Sequence, residues 1–135
     1  MAEKTFAMIK PDAVKARNCG KIIAMIEQNG FSIVRMEKIK ISKEKAETFY
    51  SVHKEKPFFN ELIDFITSGP VVAMALQKEE AIKEWRTLMG ATNPAQAAPG
   101  TIRQQFGTNI GQNAVHGSDA PETAATELNI FFPDL

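Results

Sequence analysis

The stretch N-A-V-H-G-S-D-A, residues 113–120, sets one of the chain's two histidines between a short apolar pair and a turn. A free imidazole titrates near neutrality, so at pH 7 much of it is neutral and one ring nitrogen keeps a lone pair. Such a nitrogen can attack a phosphoryl group, and the resulting N–P bond is reactive enough to pass the group on. A hydrogen-bonded structural histidine fits the same residues and, for a lone motif, is the commoner case. Gly117 leaves room beside His116 for a bulky substrate to approach. The other histidine, His53, lies between Val52 and Lys54 and reads as a solvent-facing residue.

Other side chains could serve the same chemistry. Arg86 and Arg103 are the only arginines in the second half of the chain. Their planar forks suit phosphate oxygens, and with the Thr92 hydroxyl they could clamp a polyphosphate; two surface ion pairs are the competing reading. Lys10 closes an apolar stretch before Pro11-Asp12, where an ammonium can neutralise a transferring phosphoryl group or simply face water. Phe58 and Leu62 are one helical turn apart and share a face. They are core residues or, at a cleft, a grip on a planar base that tolerates any base. No G-x-x-x-x-G-K-[ST] or G-x-G-x-x-G occurs, so phosphate would be held by side chains rather than a glycine cradle. One cysteine and two separated histidines make no zinc cluster.

These residues need a scaffold. Residues 4–9 read as a first strand, stopped by Pro11. Residues 20–29 read as a helix closed by Gly30, and residues 31–41 as a strand whose alternation slips between Ile33 and Ile39, the mark of a bulge. Ser42 caps a helix over about 43–52, and Pro57 opens another that Gly69-Pro70 ends. The run V-V-A-M-A-L, residues 71–76, predicts a buried central strand, followed by a helix over 79–89. Residues 91–107 form a long irregular segment of the kind that carries function. A last short strand over 113–116 precedes a helix to Leu128, started by the capping-box spacing of Asp119 and Glu122. With the inserted helices and loop set aside, the skeleton is βαββαβ. It predicts a ferredoxin-like α+β fold, a four-stranded antiparallel sheet with helices on one face.

Composition narrows the function classes. A length of 135 residues predicts one domain spanning 1–135, and 44% hydrophobic with 24% charged residues excludes disordered and collagen-like chains. No apolar run reaches the roughly 18 residues that span a bilayer. The opening M-A-E-K-T-F has no secretory pattern, and a lone Cys19 fits a reducing cytoplasm. Net charge is zero: residues 1–56 hold 12 Lys+Arg against 7 Asp+Glu, and residues 57–135 hold 4 against 9. A chain that coats nucleic acid normally shows a basic excess.

Taken together, T-F-A-M-I-K-P-D-A-V, P-F-F-N-E-L, S-G-P-V-V-A-M, M-G-A-T-N-P, P-G-T-I-R and N-A-V-H-G-S-D resemble the signature segments of the nucleoside diphosphate kinase family. They come in the family's order and cover essentially the whole chain. Ala13 stands where many members carry glycine, and Gln104-Gln105 where a charged residue is common. The resemblance implies a phosphotransferase that moves the γ-phosphate of a nucleoside triphosphate to a nucleoside diphosphate in ping-pong fashion. It implies His116 as the phosphorylated nucleophile and Glu127 as the carboxylate on its other ring nitrogen, with Ser118 and Tyr50 supporting by hydrogen bonds. It further implies Lys10 on phosphate and ribose, Asn113 on ribose, and Arg86, Thr92 and Arg103 on the phosphates. Phe58, Leu62 and Ile110 would sandwich the base, giving broad base specificity. Mg²⁺ would arrive bound mainly through the nucleotide phosphates, with no complete protein cage. The implied assembly is a homo-oligomer of dimers, tetramer or hexamer. By the same resemblance, the stop soon after Phe131-Phe132-Pro133-Asp134-Leu135 is expected to lack a tail that often helps subunit packing, which leaves tetramer or hexamer open. Neither nucleic acid nor membrane is an expected obligatory partner.

Three rival readings make different demands of the sequence. A nucleic-acid-binding ferredoxin-like sheet predicts exposed aromatics on central strands, and residues 71–76 hold none. A phosphocarrier relay would need no Phe58, Asn113 and paired arginines. An inactive scaffold would not keep every proposed site residue.

Overall fold

Two strands with long apolar stretches organise the molecule. The computed structural model describes residues 2–135. In it, β1 (Ala2–Ile9) and β3 (Val71–Glu79) lie side by side at the centre of the sheet. Both are buried on both faces over their apolar stretches, as such runs require. β2 (Ser32–Ile39) and β4 (Val115–Gly117) take the two edges, giving the order β2-β3-β1-β4 with every neighbouring pair antiparallel. This is the ferredoxin-like arrangement. The register shift in β2 falls between Ile33 and Arg35, inside the stretch where the alternation slips.

The period-2 alternation divides the core. On one face, Ala7, Ile9, Val72, Met74 and Leu76 meet α2 (Cys19–Gln28) through Ile22 and Ile26, and α5 (Ala81–Met89) through Ala81, Trp85 and Met89. These are the two skeleton helices. On the other face, Phe6, Met8, Val71, Ala73 and Ala75 are covered by α3 (Lys43–Phe49), α4 (Phe59–Ile66) and α7 (Pro121–Phe131). The inserted helices thus hide the face that the bare skeleton would leave open.

Several local expectations meet their physical cause. The Ser42 hydroxyl accepts from the Lys45 N–H at 3.1 Å and caps α3. Gly30 takes φ +87° just past α2, in the left-handed region that glycine enters without strain. Others differ. Pro11 ends β1 but also opens α1 (Pro11–Lys15), because a helix's first residue needs no N–H partner. α4 starts at Phe59 rather than Pro57, with Phe58 at the junction. The segment 91–107 is not wholly irregular: it holds a 3₁₀ turn (Pro94–Gln96) and α6 (Ile102–Phe106). The Thr101 hydroxyl caps α6 by accepting from the Gln104 N–H. Asp119 does not cap α7. Ala120 precedes the helix with extended φ −159°, as a residue before proline prefers, and no side chain caps that end.

Candidate active site

Strand β4 is three residues long, yet it carries His116. Pairing of Met8 with His116 and of Ile9 with Val115 fixes the histidine on the sheet face shared by Phe6 and Met8. Its ring meets the edge of Phe49 from α3 at 4.9 Å. From α7, Glu127 reaches the ring: Oε1 lies 3.0 Å from Nε2 of His116. The same oxygen accepts from the Ser118 hydroxyl at 2.7 Å. An ionised carboxylate only accepts, so it selects the tautomer with hydrogen on Nε2. Nδ1 is then the nitrogen with a free lone pair, and it has no protein partner among the described residues.

Around this ring lies a cleft of about 670 Å³. Lys10, Tyr50, Phe58, Leu62, Arg86, Thr92, Arg103, Ile110, Asn113, His116 and Glu127 all line it. Of the residues singled out in the sequence, only Ser118 lies outside the lining, buried behind Glu127. A shallower groove of about 880 Å³ lies on the other side of Arg86 and shares Arg86, Gly90, Ala91 and Asp119 with the cleft. It contains no histidine or tyrosine, so His116, Tyr50 and Glu127 belong to the smaller space.

The cations of the cleft arrive from three elements. Lys10 follows β1, and its Nζ donates to Asn113 Oδ1 at 2.9 Å, while Asn113 Nδ2 donates to the Thr92 carbonyl at 3.0 Å. Arg86 is one residue beyond Trp85 on α5, and the helical step of about 100° sends the indole into the core and the guanidinium outward. Arg103 on α6 donates to the carbonyls of Gly90 at 3.1 Å and Val115 at 2.9 Å, and its Nε is buried without a partner. Neither arginine pairs with a carboxylate among the described residues, which sets aside the surface-ion-pair reading.

The electrostatics follow from that gathering. Burial, then the Arg103 charge, lowers Lys10 to a pKa of about 8, with Asp12 pulling the other way. Burial, then Arg86, brings Arg103 down to about 10. The Tyr50 phenol is pushed up to about 12, by burial first and then by Glu127, so it stays a hydrogen-bond donor. Its hydroxyl makes no hydrogen bond to protein among the described residues, unlike that of Ser118. Phe58 is 42% exposed and Ile110 60% exposed, large apolar side chains left partly uncovered at the mouth.

Gly117 lines the cleft, and packing also demands a glycine there. A Cβ there would sit 2.4 Å from Cδ1 and Nε1 of Trp85, whose indole N–H donates to the His116 carbonyl at 3.2 Å. His53 does not simply face solvent. It lines the cleft between Tyr50 and Phe58, with ring centroids 6.3 and 5.6 Å away, and its Nδ1 is buried without a partner. Its signal in the sequence is its place between Tyr50 and Phe58. Asp119, Thr123 and Val52 also line the cleft and were not singled out as site residues. No three His, Cys, Asp or Glu side chains among the described residues are grouped to hold a metal ion.

Comparisons with known proteins agree with this architecture. A family model described as nucleoside diphosphate kinase matches residues 3–135. A nucleoside diphosphate kinase of Trichlorobacter lovleyi is 62% identical over 130 residues, covering 96% of this chain and 94% of the relative. One from Pelobacter propionicus is 60% identical over 133 residues, covering 98% and 97%. Among solved structures, the Aquifex aeolicus nucleoside diphosphate kinase superposes with a TM-score of 0.96 at 45% identity, covering 98% of this chain and 96% of that one. The Halobacterium salinarum enzyme, solved in complex with CDP, gives 0.95 at 42% identity, covering 99% and 90%. Fold and relatives together define a phosphotransferase. The chain belongs to the nucleoside diphosphate kinase family.

Proposed function

We propose that this chain transfers the γ-phosphate of a nucleoside triphosphate to a nucleoside diphosphate through a phosphohistidine at His116. The observation that carries the reading is the commitment of Nε2 to Glu127, which leaves Nδ1 free in a cleft with three cations. In the first half-reaction the Nδ1 lone pair attacks the γ-phosphorus, the bond to the β–γ bridging oxygen breaks, and the nucleoside diphosphate leaves with that electron pair. In the second, a terminal β-phosphate oxygen of another diphosphate attacks the same phosphorus and the N–P bond breaks. The Nε2 proton stays on the ring, and Glu127 balances the positive charge that develops there. Arg86, Arg103 and Lys10 hold the phosphates and stabilise charge on the moving phosphoryl group. Thr92 and the Tyr50 hydroxyl offer further donors, and Asn113, already bonded to Lys10, meets the ribose.

Phe58, Leu62 and Ile110 offer apolar faces to the base and no donor–acceptor pattern, so purines and pyrimidines are accepted alike. The Halobacterium relative's complex with CDP supports a nucleoside diphosphate in this cleft. Mg²⁺, held through the nucleotide phosphates when bound, would supply further charge neutralisation. We place the single-domain protein in the cytoplasm, and no helix among the described residues is long and apolar enough to cross a membrane. It assembles as a homo-oligomer built from dimers; the open outer edge of β2, with Val34 and Met36 exposed, supports an interface of this kind.

The test is incubation with γ-labelled ATP, then chase with several nucleoside diphosphates. Wild-type protein is expected to take up an acid-labile, base-stable label and to lose it to every diphosphate offered. His116→Ala is expected to fold and take up none. A wild-type protein that stays unlabelled, or label that survives His116→Ala, refutes the reading.

A further inference from the structure

Ala114 has φ +75°, a strained conformation for a residue with a Cβ. It is the centre of a three-residue turn closed by the Val115 N–H donating to the Asn113 carbonyl at 2.9 Å. The turn lies two residues before His116 and directly after Asn113. Nothing in an alanine favours this geometry, so the surroundings must impose it.

The surroundings are the segment Lys10–Asp12. The Lys10 N–H donates to the Ala114 carbonyl at 2.8 Å, and the Ala114 N–H donates to Asp12 Oδ2 at 3.1 Å. Both polar groups of Ala114 are thereby pinned to the start of α1. Asp12 is itself in an unfavourable place: its Oδ1 is buried with no partner, and loss of water raises its pKa. Backbone N–H groups, the Ala114 one first among them, and the Lys10 charge offset only part of that lost solvation. What the Asp12 side chain does is fix the turn.

We propose that Asp12 is a positioning residue for the phosphoryl transfer: its carboxylate holds the strained turn at Ala114 and so aims His116 and Asn113 into the cleft. The inference rests on the reading of His116 as the nucleophile. Released from Asp12, Ala114 relaxes toward negative φ. That rotation displaces the Asn113 amide from Lys10 and shifts the short strand that carries His116.

The experiment compares Asp12→Ala, Asp12→Asn and the double variant Asp12→Ala/Ala114→Gly. Two quantities are read: the single-turnover rate of His116 labelling as a function of ATP concentration, and hydrogen exchange of the Ala114 amide. Asp12→Ala is expected to lower the maximal labelling rate about 10- to 100-fold, with a smaller change in half-saturating ATP. Its Ala114 amide is expected to exchange faster. Asp12→Asn keeps an oxygen acceptor and is expected to stay within a few-fold of wild type. Glycine adopts positive φ freely, so Ala114→Gly is expected to restore much of the rate lost in Asp12→Ala, which a merely destabilised fold would not allow. Labelling of Asp12→Ala at the wild-type rate overturns the proposal. So does equal damage by Asn and Ala, or an absence of rescue by glycine. If wild type takes no label, the nucleophile reading fails instead, and exchange at Ala114 still reports whether Asp12 holds the turn.

Discussion

If Lys10 holds nucleotide phosphates as proposed, its lowered pKa makes binding a proton-uptake event. In the free protein its pKa is about 8, because burial and Arg103 disfavour the ammonium. A bound diphosphate replaces that unfavourable field with an anion and returns the pKa toward the ordinary lysine value of about 10.4. At pH 8 about half of the free protein lacks this proton and nearly all of the complex holds it, so binding takes up about 0.5 proton. At pH 7 the same arithmetic gives about 0.1, and at pH 9 about 0.9. The assay is calorimetric titration with a nucleoside diphosphate, which cannot phosphorylate His116, in buffers of high and low ionisation enthalpy. The observed enthalpy at pH 8 is expected to rise with buffer ionisation enthalpy with a slope near the uptake, and Lys10→Met is expected to bind more weakly with a slope near zero. A flat plot at pH 8 for wild type, or an unchanged slope in Lys10→Met, refutes the placement of this charge. The same shift acts on folding. A lysine whose folded pKa is below its unfolded one destabilises the protein fully at pH below about 8, and that penalty fades as pH rises toward the unfolded value.

Three further outcomes follow from the geometry. Gly117→Ala puts a methyl group 2.4 Å from the Trp85 indole and is expected to destabilise by about 1–3 kcal/mol from overpacking, plus about 1 kcal/mol for the strained indole bond to His116. Thermal melts at matched protein concentration check this, and Trp85→Phe in the same chain should absorb part of the loss. Glu127→Gln keeps an acceptor for Ser118 and His116 but removes the charge, so single-turnover labelling should slow about 10-fold, and Glu127→Ala about 100-fold, with ATP affinity little changed. His53→Ala removes the ring between Tyr50 and Phe58, and steady-state kinetics should show KM rising about 2- to 10-fold for nucleotides of every base while kcat holds.

What could be read from the sequence had local causes. The run Val71–Leu76 announces a strand buried on both faces, Ser42 announces a cap, and the slip after Ile33 announces a bulge, because each signal resides in the residues that form the feature. Short elements escaped: α1 and α6 are five residues each, too brief for a helical period to show. Asp119 and Glu122 have the spacing of a capping box, yet Pro121 fixes the entry and shifts the start of the helix by one residue. The cleft residues were gathered by motif and by resemblance, and the fold does bring them round one space. Which ring nitrogen is free could not be read, since it depends on where α7 sets Glu127 against β4.

Ala114 and the cleft cations show why that last layer escapes a linear reading. An alanine gives no hint of positive φ, and a lysine gives no hint of a pKa near 8. Both states depend on groups distant in sequence: Ala114 is bonded to Asp12, about a hundred positions away, and Lys10 is shifted first by its burial in the fold and then by the Arg103 charge. Both are also unfavourable in the free protein, where a strained turn and mutually repelling cations are held by the surrounding fold. Local signals describe what stabilises an element by itself. A site for an anionic substrate is the opposite case, since its residues are arranged against their own preferences and a polyphosphate relieves the charge part of that burden. Not every such position belongs to the cleft, since Arg17 and Glu80 also take positive φ and line none of it; but Ala114 adjoins the strand that carries His116 and Lys10 lines the same cleft, so in the proposed transfer their strain and charge serve as pre-organisation.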